Sequence, residues 1–300
     1  MNCYISVVIP TYKNRGGLSM CIDSVLNQDE SILKEVIVVD DNNPESEFRK
    51  NTEAIMSKYC LNPRVKYIKH DRNKNGSAAR NTGIRAAKGN LIALLDDDDI
   101  YLEGKLEKQA KFLEDNPGFD AVCCFELKES GNEVNTKIHR GDATRDILLL
   151  QSNFQTSTLV FRDYVLKELQ GFDESFIRHQ DVELMLRFYQ KGFTLGCVPE
   201  VLVKMGRNNG ENIPSGEKLE ELKRYFFSKF DDYIEFEEMK TPGFKNKVYT
   251  KHYAGVFLSH IKHHHWRRAI HIFNNYFFKS PRVFIEVLIN SVKAHICKSS

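Results

Sequence analysis

Residues 91–99 read LIALLDDDD, a short apolar run that ends in four consecutive aspartates, Asp96, Asp97, Asp98 and Asp99. Carboxylates so close repel one another unless something cationic sits among them. Hard divalent cations take oxygen ligands, and Mg2+ or Mn2+ usually keeps one or two carboxylates and fills its shell with water and substrate phosphate. Such a run at a strand end therefore suits an ion that bridges a diphosphate, with the other acids accepting hydrogen bonds from sugar or ribose hydroxyls. The plain alternative is a solvated acidic turn. A second pair, Asp40 and Asp41, closes the apolar run EVIVVDD, and Asp181 in RHQDVE opens a segment of helical period. At a helix start a carboxylate suits a capping role or a proton acceptor.

The elements that must position these acids alternate. YISVVIP, EVIVVDD, RVKYIKH, NLIALLDDDD and DAVCCFEL are strand-like, and the segments between the first four and after the fourth have helical spacing, as in Leu18, Cys21, Ile22, Val25 and Leu26. Continuous apolar strands separated by helices predict an α/β fold with a mostly parallel sheet covered on both faces. Ligands of such sheets gather beyond the carboxyl ends of the strands, where both acid clusters fall. Further on, SGNEVNTKI predicts a hairpin, STLVFR a strand, residues 181–192 a helix, and TLGCVPEVLVKM two short strands around Pro199. The turn-rich GRNNGENIPSG predicts a boundary near Gly210, separating a domain of residues 1–210 from a helical, basic and amphipathic region, 211–300.

Four stretches in register, ISVVIPTYKNRGGLSMCIDSVLNQ, VIVVDDNNPES, NGSAARNTGIRAAKGNLIALLDDDD and FDESFIRHQDVELMLRF, closely resemble the family-2 inverting glycosyltransferases and their nucleotide-sugar-binding GT-A fold. The resemblance covers about residues 4 to 205. It implies that Pro10, Thr11 and Tyr12 lie beside the nucleotide base and that Asp41, with Asp40 next to it, accepts the uracil N–H. It puts the family's D-x-D motif on Asp96 and Asp98, with Asp98 the first candidate metal ligand and Asp96 near the ribose or the metal. Asp97 falls among the donor-binding acids. Arg80 and Asn81 resemble donor-side residues, and Asp181 stands where the family has its catalytic base. The implied enzyme moves a hexose-type sugar from a UDP-sugar to a glycan or polyprenyl-linked glycan, assisted by Mn2+ or Mg2+, in a bacterial polysaccharide pathway. Two departures stand out: Gln180 replaces the usual Glu before the base, and Asn209 replaces a His near the diphosphate, leaving Arg207 to bring charge to the phosphates.

Composition narrows the rest. Hydrophobic residues at 41% and charged residues at 28% describe a chain able to bury a core. Neither G-x-G-x-x-G nor a P-loop is present, which excludes the common dinucleotide and P-loop readings. A nucleotidyltransferase of similar fold lacks support because TYKNRGG is not its Gly-rich loop. A silent glycan- or nucleotide-binding subunit fits poorly with retention of Asp96, Asp98 and Asp181. The seven cysteines, Cys3, Cys21, Cys60, Cys123, Cys124, Cys197 and Cys297, show no C-x-x-C spacing and suit a reducing cytoplasm. No leader peptide and no membrane-spanning run is expected. Residues 244–300 carry ten Lys and Arg against one acid, Glu286, which leaves the rest of the chain acidic. Basic residues interleaved with Trp266, Phe273, Phe278 and Phe284 predict peripheral contact with the inner face of the cytoplasmic membrane, packing on protein being the alternative. Nucleic acid is not expected. His260 and His264, one helical turn apart, are read as part of a basic titratable face rather than a metal site.

Overall fold

The computed structural model describes residues 4–14, 16–128, 134–135, 141–152, 154–206 and 214–299. The chain divides into two compact units, Met1–Thr144 with Phe154–Arg207, and Arg145–Asn153 with Asn208–Ser300.

The first unit is a sheet with helices on both faces. Its strands are β1 (Ile5–Thr11), β2 (Leu33–Asp40), β3 (Val65–Lys69), β4 (Leu91–Leu94), β5 (Ile100–Tyr101), β6 (Ala121–Leu127), β7 (Val134–Asn135), β8 (Val160–Arg162) and β9 (Leu195–Lys204). Its helices are α1 (Leu18–Leu26), α2 (Glu47–Met56), α3 (Gly76–Ala86), α4 (Lys105–Asp115), α5 (Thr144–Leu148, which runs into the second unit), α6 (Asp163–Glu168) and α7 (Gln180–Gln190). The strand order is β3-β2-β1-β4-β8-β6-β9-β5, with β7 beside β6. Strands β1 to β4, β6 and β9 share one direction, and β5, β7 and β8 oppose it. The sheet is thus mostly parallel, as the uninterrupted apolar runs predict. Ile5, Val7, Val8 and Ile9 of β1 and Val36 to Val39 of β2 are all fully buried, which only a sheet covered on both faces allows.

Strand β1 pairs with β4 as far as Val8–Leu94 but with β2 as far as Thr11–Asp40. Pro10 lies in the stretch beyond the last β4 partner, where a residue without an N–H interrupts no ladder on that side. The crossovers leave in opposite senses on either side of β1, so the crevice between the carboxyl ends of β1 and β4 is the switch point of the sheet, where ligands of such folds bind.

One expectation changes here. The segment around Pro199 is one ten-residue strand rather than two. Its pairing with β6 jumps from Cys124–Val198 to Phe125–Val201, so Pro199 and Glu200 bulge out and the missing N–H costs no ladder bond. The hairpin appears only as Val134–Asn135 against Leu127 and Glu126; the remainder of that expectation lies outside the described residues. Helix α6 and strand β5 were not anticipated.

The second unit comprises helices α8 (Gly216–Lys240), α9 (Phe244–Lys262), α10 (Trp266–Tyr276) and α11 (Pro281–Ser299). Phe226, Phe227, Phe230 and Ile234 of α8 are buried with Val248, Tyr253 and Val256 of α9. Phe227 stacks on Tyr249 and Tyr253 on Tyr276, each with ring centroids 4.0 Å apart. His260 departs from its expected place on a basic face. It is fully buried, with Nε2 3.0 Å from Glu220 Oε2 and Nδ1 3.3 Å from His265 Nδ1, while His264 sits exposed beyond the end of α9. Among the described residues no helix is long and apolar enough to cross a membrane.

Candidate functional site

The four aspartates form a turn at the carboxyl end of β4, and the fold treats each one differently. Asp99 is buried; its Oδ2 accepts the Ser157 hydroxyl at 2.5 Å and its Oδ1 the Gly206 N–H at 2.8 Å. Asp97 accepts the Thr11 hydroxyl at 2.5 Å through Oδ2, and its carbonyl takes the Asn14 side-chain amide at 3.1 Å. Asp96 is held by Arg80, whose Nη2 lies 2.5 Å from Oδ1, and by the Thr156 hydroxyl at 3.2 Å from Oδ2. Asp98 is exposed, and among the described residues no other residue donates to its carboxylate. The cation expected among the acids is therefore partly supplied by the protein, in Arg80. The remaining repulsion is visible in the proton affinities. Partial loss of solvent, felt even by Asp98 at the most exposed point of the turn, together with neighbouring acids pushes Asp97 and Asp98 up to about 6 and raises Asp99 as well.

Two glycines let the turn sit where it does. A Cβ on Gly206 would fall 2.0 Å from the Asp98 carbonyl oxygen, and one on Gly17 3.0 Å from that of Asp97. Both obstacles are backbone, so no rotamer change relieves them. Gly206→Ala is expected to cost about 1–3 kcal/mol of stability by overpacking and to weaken nucleotide binding by displacing Asp98; urea unfolding and calorimetry check the two effects together.

Arg80 joins the acid turn to α7. Its Nη1 donates to Gln180 Oε1 at 2.7 Å, and its guanidinium lies 5.5 Å from the Phe172 ring centroid. Its buried Nε has no hydrogen-bond partner among the described residues. Asp181 follows Gln180 in the first turn of α7, where the cap position is His179 with φ 57°, so Asp181 is not the cap. Desolvation raises the Asp181 carboxyl to about 6, against the opposing pull of the Val182 N–H and of Arg80. A carboxylate with this proton affinity is ionised at neutral pH and more basic than a solvated one, which suits a general base.

The acids at the end of β2 are occupied differently from what was expected. Asp40 is fully buried, ion-paired with Arg49 Nε at 3.1 Å, and accepts the Tyr67 hydroxyl at 2.6 Å and both N–H groups of Asn42. It braces the turn after β2 and turns no oxygen toward a ligand. Asp41 is also buried, with four partners: His70 Nδ1 at 2.7 Å, the Asn73 amide at 2.7 Å, and the N–H groups of Lys74 and Asn75 at 2.8 and 2.9 Å. A carboxylate offers about four acceptor positions, so Asp41 as it stands organises the loop into α3 and has none left for a base. Asn81 likewise faces inward. Its amide donates to the Phe172 carbonyl at 2.9 Å and its Oδ1 accepts the Phe172 N–H at 2.8 Å. Asn81→Ala would strand both groups of the buried Phe172 and is expected to cost about 2–4 kcal/mol, read as a lower urea midpoint at unchanged slope. Tyr12, by contrast, is 45% exposed at the mouth of the crevice beside buried Pro10 and Thr11. Arg207 and Asn209 lie outside the described residues.

Thr156 and Ser157 were not foreseen as site residues. They precede β8 in a short 3-10 turn, and Ser157 also holds the Asp96 N–H at 3.0 Å. No sequence signal marks them, because their role depends on β8 lying beside β4. Among the described residues no three His, Cys, Asp or Glu side chains converge to hold a metal. The donor set nonetheless fits Mn2+ or Mg2+ of the kind completed by substrate phosphate, since Asp98 presents an unshared carboxylate with raised proton affinity and Asp96 lies two residues away.

Residues 6–181 match the family described as Glycosyl transferase family 2. An uncharacterized glycosyltransferase of Methanocaldococcus jannaschii is 29% identical over 74% of the chain and 77% of the relative. The amylovoran biosynthesis glycosyltransferase AmsB of Erwinia amylovora is 28% identical over 66% of the chain and 67% of the relative. Against a longer Rickettsia conorii glycosyltransferase the chain spans 33% of the relative's length. A crystal structure of S. aureus TarS 1-349 in complex with UDP-GlcNAc superposes with a TM-score of 0.62 at 17% identity, covering 90% of this chain and 89% of that one.

Proposed function

The chain belongs to glycosyl transferase family 2, and on that premise we propose that it transfers a sugar from a UDP-sugar to a glycan or polyprenyl-linked glycan, with inversion at the anomeric carbon. One observation carries this reading: Arg80 ties the acid turn at the end of β4, with Asp98 exposed on it, to the start of α7, where Asp181 is desolvated. That link supports a reading in which the acid turn serves the phosphate side and Asp181 accepts the proton.

The donor's base lies against Tyr12 and the ends of β1 and β2. Arg80, paired with Asp96, brings positive charge toward the diphosphate. Asp98, with Asp96, would hold Mn2+ or Mg2+, which offsets negative charge on the departing nucleoside diphosphate. Asp181 takes the proton of the acceptor hydroxyl as that oxygen attacks the anomeric carbon from the face opposite the leaving group. A single displacement turns an α-linked donor into a β-linked product. The name of one relative, an amylovoran biosynthesis glycosyltransferase, supports a polysaccharide acceptor.

A panel of UDP-, GDP- and CMP-sugars, each with and without Mn2+, tests the reading by thermal shift and by slow donor hydrolysis. Uridine donors are expected to raise the melting temperature in a cation-dependent way. Protection by none of them at millimolar concentration overturns it.

A further inference from the structure

Among the described residues of the second unit, helices α10 and α11 each leave large apolar side chains exposed. On α10, Ala269 and Ile272 are buried, while Trp266 and Ile270, one turn apart, are 55% and 60% exposed. On α11, Phe284 is fully buried against Phe257, Phe273 and Phe277, while Ile285 and Ile289, also one turn apart, are 45% and 48% exposed. Phe278, in the turn between the two helices, is 72% exposed. Each helix thus buries one stripe against its own unit and turns a second apolar stripe to solvent.

The charge around these side chains is predominantly positive. Residues 262–293 contain Lys262, Arg267, Arg268, Lys279, Arg282 and Lys293 against Glu286. Arg268 is paired with Glu217 and Glu220, at 3.1 and 3.2 Å. Among the described residues, Lys262, Arg267, Lys279, Arg282 and Lys293 have no carboxylate within ion-pair distance. We propose that this face of α10 and α11, with Trp266, Ile270, Phe278, Ile285 and Ile289 at its centre, docks in the interface of an anionic lipid bilayer. The apolar side chains reach the acyl boundary, and the lysines and arginines meet lipid phosphates. A second copy of the chain fits less well, because a two-fold contact sets the same cationic face against itself. This docking is independent of the sugar-transfer chemistry and fails or stands separately from it.

Trp266 is the chain's one tryptophan, so intrinsic fluorescence reports on this face alone. With the full chain and vesicles of phosphatidylcholine plus phosphatidylglycerol, emission is expected to move to shorter wavelength, and brominated acyl chains should quench it. Phosphatidylcholine alone should do neither, and added salt should weaken binding by about tenfold or more. Arg267→Glu with Arg282→Glu should abolish the shift. Ile270→Ser with Ile289→Ser should weaken vesicle flotation about tenfold with the melting temperature unchanged. Should a variant fail to fold, quenching of the unaltered chain still decides. Emission indifferent to anionic vesicles overturns the proposal. So does equal, salt-insensitive binding to neutral vesicles, or a blue shift that tracks protein concentration without lipid.

Discussion

Asp181→Asn should leave UDP affinity within about twofold while transfer falls by roughly 10²- to 10⁴-fold, the range expected for loss of a general base. The side chain keeps its volume and its place in the first turn of α7, and the Arg80 bridge to Asp96 and Gln180 does not pass through it. The unaltered enzyme should also show its base in the pH profile. The base works only when ionised, and burial raises its carboxyl to about 6. Hence kcat/KM should be flat above about pH 7 and fall tenfold per unit well below about pH 6. In Asp181→Asn the residual rate should lose that limb. Asp97 and Asp98 are raised to about 6 as well, so the comparison has to include Asp98→Asn, which should keep the limb. A limb that persists in Asp181→Asn and vanishes in Asp98→Asn assigns the titration to the acid turn and removes Asp181 from the base role.

The sheet was readable because its central strands carry unbroken apolar runs, and such runs have few places to go but between two layers of helices. Short elements were not readable. Strand β5 has two residues and α6 six, lengths over which neither period can be recognised. Pro199 looked like a break because a proline ends a ladder, yet a two-residue bulge absorbs it without ending the strand. At the site, residue types were legible and allegiances were not. The two acids at the end of β2 look in sequence as ready for a ligand as those at the end of β4. What separates them is the surroundings: Arg49, Tyr67 and Asn42 close over Asp40, and His70 and Asn73 over Asp41. The same holds within the acid run. Asp99 is the inward member because it meets Ser157 and the N–H of Gly206, 107 residues away, which no local pattern reveals. Gln180 was noted only as a departure from Glu. In the structure its amide oxygen takes the second arm of Arg80, a bond a neutral side chain can make without cancelling the charge that Arg80 carries toward Asp96.

That charge balance sets the expectation for Asp98→Asn. Cation-dependent UDP affinity should fall at least about 10²-fold, or about 2.7 kcal/mol, measured by calorimetry with Mn2+ present, while the weaker affinity without cation barely changes. The ligand-free protein should at the same time melt no lower than the unaltered chain, and at pH 8 higher. The sign follows from linkage. A carboxyl whose folded pKa lies above its unfolded value lowers stability at pH above the folded pKa, and the penalty disappears once pH falls below the unfolded value. Asp97 and Asp98, raised to about 6, therefore oppose folding at neutral pH, and removing the Asp98 charge relieves Asp97. Acid turns kept for structure behave in the opposite way: losing a member breaks bonds and lowers the melting temperature, as Asp99→Asn should do by disturbing Ser157 and Gly206. Asp98 has no such bond to lose, so a repulsive charge held out toward solvent gains its use only when a cation and a diphosphate arrive. If Asp98→Asn melts lower and binds UDP with Mn2+ unchanged, the turn is a structural feature and the cation lies elsewhere.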